Sequence, residues 1–135
     1  MFVAGMFVWS ISEYVLHRWV FHWENDTAFG KRVHFLLHGV HHDYPNDKDR
    51  LVMPLGASIP MGFVFFIGFR ALLGAFAVEP FFAGFILGYL AYDGTHYAIH
   101  HFKQRTRVGK WLRRHHMLHH HADHEDDEQK KAGEF

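Results

Sequence analysis

The sequence predicts an all-α integral membrane protein, in which about three apolar helices anchor a histidine-rich helical cap on one side of the bilayer. Three observations predict it. Between Leu51 and Tyr92, 42 residues carry only two charges, Arg70 and Glu79, while the other 26 charged residues lie in the flanking stretches. Fifteen of the 135 residues are histidine, and none falls in that apolar stretch. Thirteen of the 14 Lys and Arg lie in residues 18–50 and 103–131, the same two flanks that hold the histidines. A mean hydropathy of −0.14 hides this segregation by averaging an apolar segment with a polar one.

Each element follows from the pattern. Met1–Ser12 is uncharged and runs on into Glu13–His22, so it reads as one helix emerging from the bilayer. It lacks the basic start and small-residue cleavage site of a signal peptide. Leu51–Phe69 supplies 19 uncharged residues, close to the ~20 that cross a bilayer as a helix. The return leg is expected at about Phe76–Tyr92, giving an apolar hairpin over residues 51–92 with Arg70 and Glu79 at the far turn. Pro54 and Pro60 are expected to kink or delay the outgoing leg, and Pro80 falls near the start of the return leg, where its missing N–H costs little. Gly84 and Gly88 form a GxxxG pair, a surface on which a second helix can approach closely. Because the hairpin returns the chain to its starting side, both basic flanks share one face, which the positive-inside rule assigns to the cytoplasm. Residues 1–121 form the expected domain, and the charged run 122–135 is expected to be disordered.

Composition narrows the chemistry. The absence of cysteine removes disulfides, thiolate metal sites and a cysteine nucleophile, and equal numbers of acidic and basic residues give no global field for nucleic acid. Histidine must therefore carry the site. Four clusters stand out: His17 and His22; His38, His41 and His42; His96 and His100; His116, His119 and His120. On an α-helix, residues at i, i+3 and i+4 lie within about 60° of one another, so the second and fourth clusters each present three imidazoles on one face. His96 and His100 repeat the i, i+4 geometry by which two histidines on one helix chelate an ion. The i, i+5 pair His17 and His22 is about 140° apart on an ideal helix and fits better where the helix ends.

Ten imidazoles are too many for one ion and suit two. Neutral imidazoles favour zinc, iron, copper or nickel, and the lack of clustered carboxylates disfavours calcium and magnesium. Asp43, Asp93 and Glu13 are the nearest acceptors in sequence for orienting the rings. The remaining histidines, His34, His101, His115, His121 and His124, read as ordinary surface or core residues.

Four stretches, Glu13–His22, His34–Pro54, Tyr92–His101 and His116–His120, resemble the membrane fatty acid hydroxylase superfamily, and within it the fatty acid 2-hydroxylases that act on sphingolipid acyl chains. His34–Pro54 is the most specific, since its similarity runs well past the histidines. The resemblance implies a ten-histidine dimetal site at the cytosolic membrane surface, held by His17, His22, His38, His41, His42, His96, His100, His116, His119 and His120. It implies O2-dependent hydroxylation of a lipid acyl chain at C2, in the endoplasmic reticulum or a bacterial inner membrane. Iron is the functional expectation, with zinc, which is redox-inert, as a replacement in purified protein. Some members carry a fused b-type cytochrome; these residues hold none, so a separate b-type cytochrome or other electron donor is expected.

Two other classes compete. One is a sterol or carotenoid oxidase of the same superfamily, although the carotenoid enzymes space the third cluster with four intervening residues where this sequence has three. The other is a non-catalytic membrane protein tied together by metal. A transporter would need polar ligands inside the bilayer, and residues 51–92 contain no His, Asp, Asn or Gln.

Overall fold

The computed structural model describes residues 1–21, 27–44, 47–49 and 51–133, with side chains throughout except at Leu37, His38, His41 and 121–133. Among the described residues six α-helices follow in order, α1 Phe2–Val15, α2 Ala28–His34, α3 Val40–Asp43, α4 Leu55–Leu73, α5 Ala75–His101 and α6 Arg107–Gly133, with π-helical turns at Leu16–Phe21 and Phe35–Gly39. No strand occurs among the described residues. The chain forms two compact units, Met1–Tyr97 and Ala98–Phe135, with the boundary inside α5.

In the first unit, α4 and α5 are both long and apolar enough to cross a membrane. Their turn is a single residue, Gly74, whose φ of 77° ends α4 while its N–H donates to the Arg70 carbonyl at 3.0 Å. The turn is thus tighter than the Arg70–Glu79 connection expected from the charges. Those charges mark the end of the apolar region, whereas the reversal needs the left-handed backbone that glycine supplies. Pro60 and Pro80 are each the sixth residue of their helix, and both helices run through them. Phenylalanines zip the hairpin together: Phe65 and Phe69 of α4 meet Phe85 of α5 at ring separations of 5.0 Å each, and Phe69 meets Phe81 at 4.8 Å. The outer surface of α4 stays apolar and open, with Phe63, Val64 and Leu72 all exposed. Such a surface suits lipid rather than water.

Helix α1 lies against α5 through the glycine pair noted above. A Cβ at Gly84 would collide with the Phe2 carbonyl, one at Gly5 with the Phe81 carbonyl, and one at Gly88 would sit 2.8 Å from the Trp9 Cβ. The glycines therefore set how closely the two backbones approach. Trp9 fills the next turn, edge-on to Phe85 at 5.1 Å and Tyr89 at 5.2 Å. With 14 residues, α1 is ~21 Å long, short of a bilayer by itself, and its register continues through the π-helical turn to Phe21.

In the second unit, α6 runs from Arg107 to Gly133.

Candidate metal centre

The end of α5 is fastened to α6 by side chains that satisfy its last carbonyls. Gln104 donates through Nε2 to Ala98 O at 2.7 Å and Phe102 O at 3.1 Å, and Arg113 donates through Nη1 to Ile99 O at 2.9 Å and Phe102 O at 3.2 Å. Thr106 begins α6 by accepting from Gly109 N at 3.0 Å. These bonds occupy carbonyls that a helix C-terminus leaves without intrahelical partners. They also fix the angle at which the last turn of α5 meets the first turns of α6.

That angle brings three histidines together. His116 Nε2 lies 2.7 Å from His100 Nε2 and 3.0 Å from His120 Nε2, and the ligand atoms of all three fall within 4.8 Å of one another. His100 and His120 are buried and His116 half-buried. A neutral ring nitrogen is either a donor or an acceptor, so among three Nε2 atoms at one point at least two are alike and cannot bond each other. A cation there accepts all three lone pairs. Two nitrogens each ~2.1 Å from one ion would lie roughly 3.0–3.4 Å apart, so the three rings would need only a small outward adjustment to share one. His96 lies one turn back on α5, its ligand atom also within 4.8 Å of that of His100. His119 stays out of the convergence, its ring 6.2 Å from His116 and 5.9 Å from His120. From His116, the i+4 position rotates by about +40° and the i+3 position by about −60°, and His100 meets the i, i+4 side.

The other predicted ligands divide. His17 occupies the first π-helical turn, its Nδ1 4.0 Å from the Glu13 carboxylate. His22 lies outside the described residues. His38 falls in the second π-helical turn and His41 in α3, their side chains not described, while His42 of α3 is buried. Among the predicted ordinary histidines, His115 is exposed, with Nδ1 2.9 Å from the Trp111 carbonyl and its ring 4.2 Å from that indole.

The first unit contains a cavity of about 470 Å3 whose lining includes His17 and His96. From Phe82 to His96 the lining follows α5, a rise of ~21 Å along the axis. Most of the wall is aliphatic or phenyl. Polar groups gather on the turns nearest His96, where the Tyr92 hydroxyl donates to Glu13, the Tyr89 hydroxyl donates to Asp93, and Ser58 hydrogen-bonds Tyr89. Of the three acceptors expected to orient the rings, Glu13 lies 4.0 Å from His17 Nδ1 and accepts from Tyr92, Asp93 engages Tyr89, and Asp43 is exposed at the end of α3. The three hydroxyl residues were not singled out from sequence. Their signal was modest: polar side chains on the histidine-proximal turns of two apolar helices.

Fold and site together define an all-helical membrane protein with a cluster of imidazoles able to hold metal. The chain belongs to the fatty acid hydroxylase family, whose model matches residues 2–132. It is 41% identical over 114 residues to a dihydroceramide fatty acyl 2-hydroxylase of Arabidopsis thaliana, covering 84% of this chain and 48% of that protein. It is 40% identical over 119 residues to a ceramide very long chain fatty acid hydroxylase of Saccharomyces cerevisiae, covering 86% and 31%. The human fatty acid 2-hydroxylase is 41% identical over 103 residues, covering 74% and 27%. Among solved structures, full-length scs7p, of which only the hydroxylase domain is visible, superposes with a TM-score of 0.83 at 39% identity, covering 88% of this chain and 46% of that one. The chain therefore spans about half or less of the length of these relatives.

Proposed function

We propose that this chain carries out the O2-dependent 2-hydroxylation of a long lipid acyl chain, a fatty acid or the acyl group of a sphingolipid, at a histidine-ligated dimetal centre. The observation that carries the reading is the convergence of His100, His116 and His120 at the end of the helix whose preceding turns line an elongated apolar cavity. The names of the relatives supply the position of attack. In the proposed reaction one atom of O2 enters the C2–H bond, and the other leaves as water with two electrons and two protons from an external donor, a separate b-type cytochrome or equivalent reductant.

The ten predicted histidines remain the proposed ligand set for two ions, with iron expected for activity and zinc as a substitute. The bound metals would supply O2 activation. The protein's own contributions are positional. His96 and His17 are the histidines in the cavity wall, and the phenyl and aliphatic wall holds the acyl chain away from water. Glu13 accepts from Tyr92, and its carboxylate lies beside the His17 ring, the kind of acceptor that fixes the orientation of a ligating imidazole. A first span over Met1–Phe21 and a cytoplasmic active face complete the topology proposed.

Elemental analysis of detergent-purified protein should give two metal ions per chain. Substrate-dependent O2 uptake with added reductant, together with the 2-hydroxy acid product, tests the reaction; full metal content without O2 uptake under any acyl substrate would support the non-catalytic alternative. A product hydroxylated on a sterol or carotenoid ring would support the other.

Cavity length should set acyl preference. Gly62 of α4 lines the cavity, and a Cβ there meets nothing within 4 Å. Gly62→Leu should therefore fold normally while filling the channel. Turnover of the longest accepted acyl chains is expected to fall by ~10-fold or more, since each displaced methylene forfeits ~0.8 kcal/mol of burial, while shorter chains are retained. Unchanged chain-length preference in a competition assay would remove Gly62 from the channel wall.

A further inference from the structure

We propose that the junction of α5 and α6 contains a binding site for the phosphate of an anionic membrane lipid headgroup, a role distinct from the reaction assigned to the metal centre. Residues 98–121 contain six Lys and Arg and no Asp or Glu, the next acid being Asp123. Four of these cations, Lys103, Lys110, Arg113 and Arg114, line one open pocket of about 570 Å3 together with Gln104, His101 and the metal-centre residue His100.

The pocket is arranged for an anion. A helix C-terminus ordinarily presents exposed carbonyls and a partial negative charge. Here the carbonyls of Ala98, Ile99 and Phe102 are taken by Gln104 and Arg113. The negative end of α5 is thereby masked, and Arg113 is held as a fixed positive group. Lys103, Lys110 and Arg114 are exposed, free to close on a ligand at little desolvation cost.

The surroundings select a lipid over a soluble phosphate. Phe102, Val108 and Trp111 alternate with the basic residues and are 60%, 67% and 58% exposed. The segment directly follows α5, a helix long and apolar enough to cross a membrane. Basic clusters beside a spanning helix recognise anionic lipids, and exposed tryptophan belongs at the headgroup level. A purely soluble anion would gain nothing from the three apolar side chains.

The test uses native mass spectrometry on the full chain, purified in detergent and equilibrated with dioctanoyl phosphatidylglycerol, dioctanoyl phosphatidylcholine or inorganic phosphate. One phosphatidylglycerol per chain should be retained in clear preference to phosphatidylcholine. The triple variant Lys103→Gln, Lys110→Gln, Arg114→Gln should weaken that retention roughly 100-fold with unchanged helicity and metal content, and Lys110→Arg alone should keep it. Equal retention of the two lipids, or a triple variant that binds phosphatidylglycerol like the parent, overturns the proposal. Full competition by millimolar inorganic phosphate would make the site one for a soluble anion and overturn the lipid assignment. Equal lipid retention, with the triple variant instead losing salt-sensitive electron delivery from an acidic donor protein, would assign the patch to protein docking.

Discussion

His116→Ala is expected to lose metal and activity together, whereas His115→Ala, one residue away, should lose neither. The contrast is geometric. His116 Nε2 is the atom shared by two short imidazole–imidazole contacts, 2.7 Å to His100 and 3.0 Å to His120, whereas the His115 ring lies on Trp111 and engages that residue's own carbonyl. Deleting His116 removes one of three converging lone pairs and opens a gap between the other two rings. Changing an outer partner of a ligand typically costs ~10–100-fold in metal affinity or activity, so loss of the central ligand should exceed that range. Because ligands on α5 and α6 share the ion, its loss should also lower the melting temperature, as expected when metal binding contributes to folding. Metal per chain, melting temperature and O2 uptake measured on both variants check this. Full metal retention by His116→Ala would remove it from the ligand set, and a drop in helicity accompanying the metal loss would call for His116→Gln as a milder replacement.

The parts of this centre that were legible in sequence are those that depend on α-helical period alone. His96 with His100, and His116 with His120, are i, i+4 pairs on helices that run straight through them. The hairpin was legible because segregating charge from apolar residues is itself the requirement for burial in lipid. What escaped was whatever needed a different period or a second chain segment. The turns at Leu16–Phe21 and Phe35–Gly39 are π-helical, so angles reckoned on an α-helix do not apply within them. Which of His119 and His120 faces His100 is set by the partner segment, because a helix face is symmetrical about i until that segment chooses a side. The hydroxyls of Ser58, Tyr89 and Tyr92 become a cluster only when α4 lies against α5, and no periodicity within either helix reveals it. The glycine pair at Gly84 and Gly88 was visible, but its partner, the start of α1, was not.

That pair governs the second large effect. Gly84→Leu should prevent α1 from seating on α5, because even the first carbon of the new side chain collides with the Phe2 carbonyl, a backbone atom that cannot rotate away. Relief requires α1 to shift bodily, and the shift would separate Gly5 from the Phe81 carbonyl and Trp9 from Phe85 and Tyr89. Overpacking of a close contact costs ~1–3 kcal/mol and occasionally more; here several contacts along one helix are lost at once, so ~3 kcal/mol or more is expected. Gly68→Leu makes the same change on α4, where a Cβ meets nothing within 4 Å, and should be near neutral because its side chain enters lipid. Denaturant titration of both variants in mixed micelles, followed by tryptophan fluorescence, separates steric exclusion from any general effect of leucine on helix stability. The consequence reaches the site, since Glu13 and His17 are carried by α1 and the turn that continues it. A displaced α1 withdraws both from the cavity wall, so Gly84→Leu should lose activity even in preparations where α4 and α5 remain folded. A stable, fully active Gly84→Leu protein would mean that α1 packs elsewhere, and the cavity would then need another wall.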